Sequence, residues 1–368
     1  MSNAQQMYAL SLDQVTDSIA AGGHKRTVLM QGDMGTGKSS VLKMLGERFP
    51  DHTLCYFDCT TKDLGDVTIP NLVAGTPEDT ESRGYVTYLT NEELGVHNNK
   101  PIILMIDEYG KANPAVKNAL LRLMLERKMG SYTLHPESIV FATTNLGAEG
   151  VGDLMLPHQR NRITVVTTRK PTNLEWISWG LNNNIDHTLL GWAKDNPQLF
   201  QSFTEVANPD DNDYIFHPQA AGRTAFFTPR SGEAASDWMK QRSKFDNHTL
   251  TSLLIGTIGE RGAMDLMAFV TMADQMPSRD DIINDPRNAK VPTSAAAVCM
   301  VVFRTLASIE RDWMDAWMTY LERLDTEAQG MFANGVRDEK YGKRSMVMTN
   351  KRFQKWALDN NYLFGVDV

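Results

Sequence analysis

Cysteine is nearly absent: only Cys55, Cys59 and Cys299 occur in 368 residues. That excludes a disulfide framework and suits a reducing compartment. Cys55 and Cys59 flank a strand-like "YFD", but no second Cys/His pair stands at zinc-ligand spacing, so both read as small buried residues. Long apolar runs are missing as well. No stretch approaches 18 uninterrupted apolar residues, and "MSNAQQMYALSLDQV" lacks the basic start and apolar core of a leader peptide. The expectation is a cytoplasmic protein with no membrane partner. No Lys/Arg-rich block occurs, and 37 Lys plus Arg against 45 Asp plus Glu leave a formal charge of -8. Nucleic acid is therefore not the expected partner, although a ring pore can be locally basic within an acidic protein. Internal repeats and low-complexity tracts are also lacking.

What is present is an ordinary globular composition, 42% hydrophobic and 22% charged, in a chain longer than one core usually grows, which predicts two lobes. The first half alternates short apolar runs with helical patterns. "TVLMQ" (27–31), "TLCYF" (53–57), "IILMI" (102–106), "SIVFAT" (138–143) and "ITVVT" (163–167) have the look of strands covered on both faces. "KSSVLKMLGERF" and "NPAVKNALLRLMLERK" read as helices; in the second, Val116, Leu120 and Leu123 share one face while Lys117, Arg122 and Glu126 fall largely elsewhere. This alternation predicts a largely parallel, three-layer α/β sheet. Segment 60–100 is too long for a simple crossover, and "YVTYLT" inside it suits a hairpin strand. From about Pro171 strand runs vanish and helical spacing takes over, with a loop-rich interruption at 208–223.

"GDMGTGKS" matches G-x-x-x-x-G-K-[S/T] between a strand run and a helix. Gly32, Gly35 and Gly37 let the backbone wrap phosphate oxygens, and the following helix offers its positive N-terminus. Asp33, Met34, Thr36 and Ser40 complete the nucleotide-binding run, Lys38 can reach the β- and γ-phosphates, and Ser39 can ligate magnesium. "IILMIDEYG" ends a strand in Asp107 and Glu108, the Walker B pattern: Asp107 to hold magnesium, Glu108 to orient or deprotonate water. "FATTNLG" places the amide of Asn145 after a strand, where it can help position the nucleophile. Open α/β sheets gather ligands at the carboxyl ends of their strands, where all three motifs fall. Together they predict ATP hydrolysis with ATP and Mg2+ as cofactors. A chance Gly-rich turn, a solvated acidic strand end and a turn-forming Asn are the plainer readings of each motif alone.

"GDMGTGKS", "LMIDEYGKANPAVKNALLRLMLERKMG", "FATTN", "LPHQRNRI" and "FTPRSGEAAS" occur in the order and approximate spacing of AAA+ ATPases. Over roughly 25–275 the chain resembles the MoxR-type group of the helix-2-insert clade. The resemblance implies an AAA+ P-loop NTPase core with a five-stranded parallel sheet, then an all-helical lid and a helical C-terminal extension. The corresponding domains are 1–168, with 60–100 as the helix-2-insert region, then 169–277 and 278–368. It further implies a homo-oligomeric, hexameric ring with ATP between subunits, and chaperone-like remodelling of a protein partner, often one carrying a von Willebrand factor A domain. Asn145 corresponds to sensor 1, and Arg230 to sensor 2, against the plain alternative of a helix-start surface arginine after Pro229. Arg162, just before the last strand run, corresponds to the arginine finger that acts in trans, with Arg160 in reserve.

Departures from the family pattern bear on the site. Lys111 stands where the family has arginine, a point charge without a bidentate fork. "LPHQRNRI" is one residue shorter than the usual finger segment, which leaves the choice between Arg160 and Arg162 open. Two rival functions share these motifs: a DNA-directed motor or loader, and a nucleotide-gated assembly protein with little turnover. In "IERDWMDAWMTYLERL", beyond the aligned motifs, Trp313, Trp317, Tyr320 and Leu321 suit a packed helix face, or else an assembly surface.

Overall fold

The computed structural model describes residues 7–74, 84–145, 161–220, 222–273 and 276–364. The chain divides into two compact units, Met1–Lys170 and Pro171–Val368.

In the first unit the five apolar runs are the strands β1 (Val28–Gly32), β2 (Thr53–Asp58), β5 (Ile102–Asp107), β8 (Ile139–Asn145) and β9 (Thr164–Thr167). Between them lie β3 (Thr68–Val73), β4 (Tyr85–Thr90), β6 (Lys128–Met129) and β7 (Tyr132–Thr133). The five form one sheet in the order β2-β5-β8-β1-β9, every neighbouring pair parallel. Ile102 through Ile106 are fully buried, as an inner strand covered on both faces requires. The expectation of two covered faces fails at the sheet edges. In β2, Leu54 and Tyr56 are each 46% exposed, and Val165 in β9 is 38% exposed, because an edge strand has a neighbour on one side alone.

Two helical layers cover the sheet. One is the helix Pro114–Glu126, started by Asn113, whose side chain accepts from the Val116 amide, and by Pro114 in the first turn. It packs Val116, Leu120 and Leu123 against Phe57, Leu104, Ile106 and Val140. Lys117, off the Val116, Leu120 and Leu123 face, is also buried, and its backbone carbonyl accepts the Tyr109 hydroxyl at 3.2 Å. The opposite layer holds the helices Ser40–Arg48 and Leu12–Gly22, with Val41, Leu45, Val15 and Ile19 against Met30, Ile103, Met105 and Phe141. Each such side chain contributes roughly 1.5–3 kcal/mol on burial. The helix Leu12–Gly22 was not anticipated; its signal is the Ser11/Gln14 capping box. Cys55 and Cys59 are buried among these apolar side chains. Segment 60–100 contains a short helix, Leu64–Val67, and the antiparallel pair β3 and β4, with Ile69 opposite Leu89 and Leu72 opposite Val86.

Among the described residues of the second unit every regular element is a helix, as expected from Pro171 onward. Its apolar core runs without a break from Trp176 to Trp356. Trp313, Trp317, Tyr320 and Leu321 are all buried there, so they are a packed face and the assembly-surface alternative is overturned. The loop-rich interruption is tied together by Arg223, which donates to the carbonyls of Pro209, Asn212 and Ile215. Among the described residues, no helix is long and apolar enough to cross a membrane.

Candidate active site

Because β1, β5 and β8 are adjacent and parallel, their carboxyl ends share one edge. Gly32 stands beside Asn145 and Asp58 beside Asp107 in the strand register. The loop that leaves β1 curls back over this edge, with Gly35 at φ 68° and Gly37 at φ 92°, left-handed values that side chains resist. Its carbonyls fold around Lys38, whose Nζ donates to Gly32 O at 2.9 Å, Asp33 O at 2.7 Å and Asn145 Oδ1 at 2.9 Å. Thr36 Oγ1 donates to Asp33 O at 3.0 Å. Ser39 precedes the helix Ser40–Arg48 and makes no capping bond with its side chain.

The Asp107 carboxylate is oriented from both sides. Tyr56 of β2 donates its hydroxyl to Oδ2 at 2.8 Å, and Thr143 of β8 donates to Oδ1. Glu108 has φ 51° and ψ 36°, a conformation that costs a side-chain-bearing residue about 1–2 kcal/mol. Its amide is held by Asp107 Oδ1 at 3.1 Å and Thr143 Oγ1 at 3.2 Å. Its carboxylate receives Asn145 Nδ2 on Oε1 at 3.1 Å and lies 3.1 Å from Lys111 Nζ through Oε2. The Lys111 contact is ionic without hydrogen-bond alignment, since Oε2 has no hydrogen-bond partner. Gly110 lets this turn lie against β8: a β-carbon there would come within 2.1 Å of Thr144 Oγ1.

Three carboxylates at this edge act on a neighbouring thiol. Burial, and then the carboxylates of Asp58, Asp107 and Glu108, push the Cys59 thiol up to about 12. Carboxylates beside a Gly-rich loop and Lys38 suit a divalent cation with a polyphosphate. The Ser39 hydroxyl and the Asp107 carboxylate are hard oxygen donors of the kind magnesium takes.

The structure thus brings Gly32 through Ser40, Asp107, Glu108 and Asn145 to one edge. Arg162 lies elsewhere. It is exposed in the turn before β9, and Thr164 at the start of β9 stands beside Val28, at the other end of β1 from Gly32. Counting residues at 3.3 Å each puts Arg162 about 20 Å from the Gly-rich loop, beyond side-chain reach. Arg160 is outside the described residues. Arg230 is exposed in the first turn of the helix Pro229–Lys240, in the second unit, after the Thr228 cap. Sequence reasoning missed Tyr56, Thr143 and Lys170. Only the polar ends of the apolar runs hinted at the first two, and nothing local marks Lys170, whose Nζ lies 3.7 Å from Asp33 Oδ2.

No protein-family model matches the chain. No curated protein matches it significantly. Among solved structures, the chain is similar to the RuvB Holliday junction branch migration motor of Thermotoga maritima at 14% identity, covering 82% of this chain and 85% of that one with a TM-score of 0.36. It is similar to a closed-state reconstruction of Hsp104 with ATPγS and FITC casein at 17% identity, covering 48% of this chain with a TM-score of 0.34. For the S. cerevisiae Hsp104-ADP complex the values are 19%, 47% and 0.33. The chain spans about a third of the length of the Hsp104 chains, 36% and 34%.

Proposed function

We propose that the chain is an AAA+ ATPase of MoxR type that hydrolyses ATP between subunits of a ring, in keeping with a hexamer, and uses the energy to remodel a protein partner. The observation that carries this reading is the hydrogen-bonded series Lys38, Asn145, Glu108 at one strand edge. A phosphate-binding cation, a polar amide and a general base are joined there in the order an in-line attack on a γ-phosphate needs.

In this mechanism the loop amides and Lys38 bind the β- and γ-phosphates, which compete with Asn145 and the loop carbonyls for the Lys38 ammonium. Asn145 then turns its amide to the γ-phosphate or the attacking water, and Glu108 orients that water and accepts its proton. Ser39 and Asp107 would hold magnesium, which neutralises phosphate charge when bound. Arg162 serves a neighbouring copy's site, a role its distance from its own loop supports, and Arg230 is the candidate for the sensor 2 role. The expected partner is a protein substrate or adaptor, with a von Willebrand factor A domain protein the first to test.

Steady-state ATPase of the wild type and of Glu108→Gln tests the reading. Turnover that is lost in Glu108→Gln with ATP binding kept supports it; a wild type inert at every protein concentration overturns it. Stimulation by duplex DNA and not by protein would transfer the chain to the DNA-directed motors.

A further inference from the structure

The second residue of the phosphate loop is an aspartate, and its carboxylate is buried. Asp33 is 5% exposed, and its Oδ2 has no hydrogen-bond partner. Its own carbonyl is part of the cradle, accepting from Lys38 and Thr36. A buried anion inside a loop that must take a polyphosphate opposes binding through like-charge repulsion, which little solvent is there to screen.

The opposing charge follows β9, the strand paired with β1. After β9 the chain passes directly over the start of the loop: Thr168 N donates to Gln31 O at 2.7 Å, and a β-carbon on Gly32 would come within 2.7 Å of Thr168 O. Arg169 N donates to Leu10 O at 2.9 Å, which fixes the backbone that presents the next residue. That residue is Lys170, whose side chain and that of Asp33 are each 6% exposed, with Nζ 3.7 Å from Oδ2. Two buried side chains with little room to reorient hold one positive charge against one negative charge at the mouth of the loop.

We propose that Lys170 is a positioning residue for nucleotide: it neutralises Asp33, so that the Gly-rich loop presents a net attraction to the phosphates. This rests on the reading of the loop as a nucleotide site. Removing the ammonium leaves an unpaired buried carboxylate beside the phosphates, and the penalty grows with phosphate charge.

The test is calorimetric titration of the full chain with ATP and with ADP. Lys170→Met should weaken ATP by about tenfold or more, about 1.4 kcal/mol, and ADP by a smaller factor. Adding Asp33→Asn in the Lys170→Met background should restore most of the ATP affinity, which a merely structural lysine would not allow. Unchanged affinity in Lys170→Met, equal losses for ATP and ADP, or a loss that Asp33→Asn does not rescue would overturn the proposal. If Lys170→Met does not fold, Asp33→Asn alone decides: ATP bound at least as tightly as by the wild type supports the proposal, and a tenfold loss overturns it. A wild type that binds no ATP, like Lys38→Ala, overturns the nucleotide reading and this proposal together, whereas binding that ignores Lys170 overturns this proposal alone.

Discussion

Lys38 and Asn145 are hydrogen-bonded across the Gly-rich loop, Nζ to Oδ1, at 2.9 Å. Asn145 is also bonded to Glu108 through its other amide atom. One amide therefore links Lys38 with Glu108, which the proposed mechanism makes the phosphate-binding cation and the base. In that mechanism, phosphate bound at Lys38 changes what Asn145 offers to Glu108.

Asn145→Ala should lower kcat by about a hundredfold, the size of a lost positioning contact, while ATP affinity is retained. Lys38 keeps its bonds to the Gly32 and Asp33 carbonyls in this variant. Parallel measurements of turnover and equilibrium binding check the split; an equal loss in both would make Asn145 a binding residue.

The Tyr56 hydroxyl orients Asp107 from the exposed edge strand. Tyr56→Phe should raise the magnesium concentration needed for half-maximal turnover by about tenfold, the usual effect of removing a group that orients a metal ligand. Chelation should abolish turnover in both proteins. A magnesium titration that superimposes on the wild type would show that Asp107 needs no such support.

Arg162→Ala should keep ATP binding and lose turnover by about a thousandfold. The Arg162→Ala and Glu108→Gln proteins, each inactive alone, should recover activity when mixed, because a mixed interface joins an intact base to an intact arginine. If Arg160→Ala alone shows the defect, the shortened segment has moved the finger by two positions. Absence of complementation in every mixture would restrict the site to one chain.

Cys59 predicts an alkaline stability limb. The folded thiol is raised from 9.0 to about 12 by burial and nearby carboxylates, so the folded chain holds a proton that the unfolded chain releases. This contribution is fully present below pH 9 and is lost as pH rises toward 12, up to about 4 kcal/mol over the interval. Denaturant unfolding between pH 8 and 11 should show a shallower decline for Cys59→Ala than for the wild type. Parallel declines would mean other groups carry the limb.

Hydrophobic pattern and a few fixed residues, read alone, determined the five strands, the Gly-rich loop, the acidic end of β5, Asn145 and the helical character from Pro171 onward, because each is written within a short window of the chain. The Ser11/Gln14 helix start was equally local and was overlooked. Tertiary structure decided what depends on strand order. Insertion of β8 between β1 and β5 aligns Lys38, Asn145 and Glu108. The position of β2 beside β5 delivers Tyr56 to Asp107, and that of β9 beside β1 sends Arg162 to one end of the sheet and Lys170 to the other. Strand order arises from packing among segments distant in sequence, so no local spacing announces that a lysine at the end of the unit will neutralise an aspartate in its first loop.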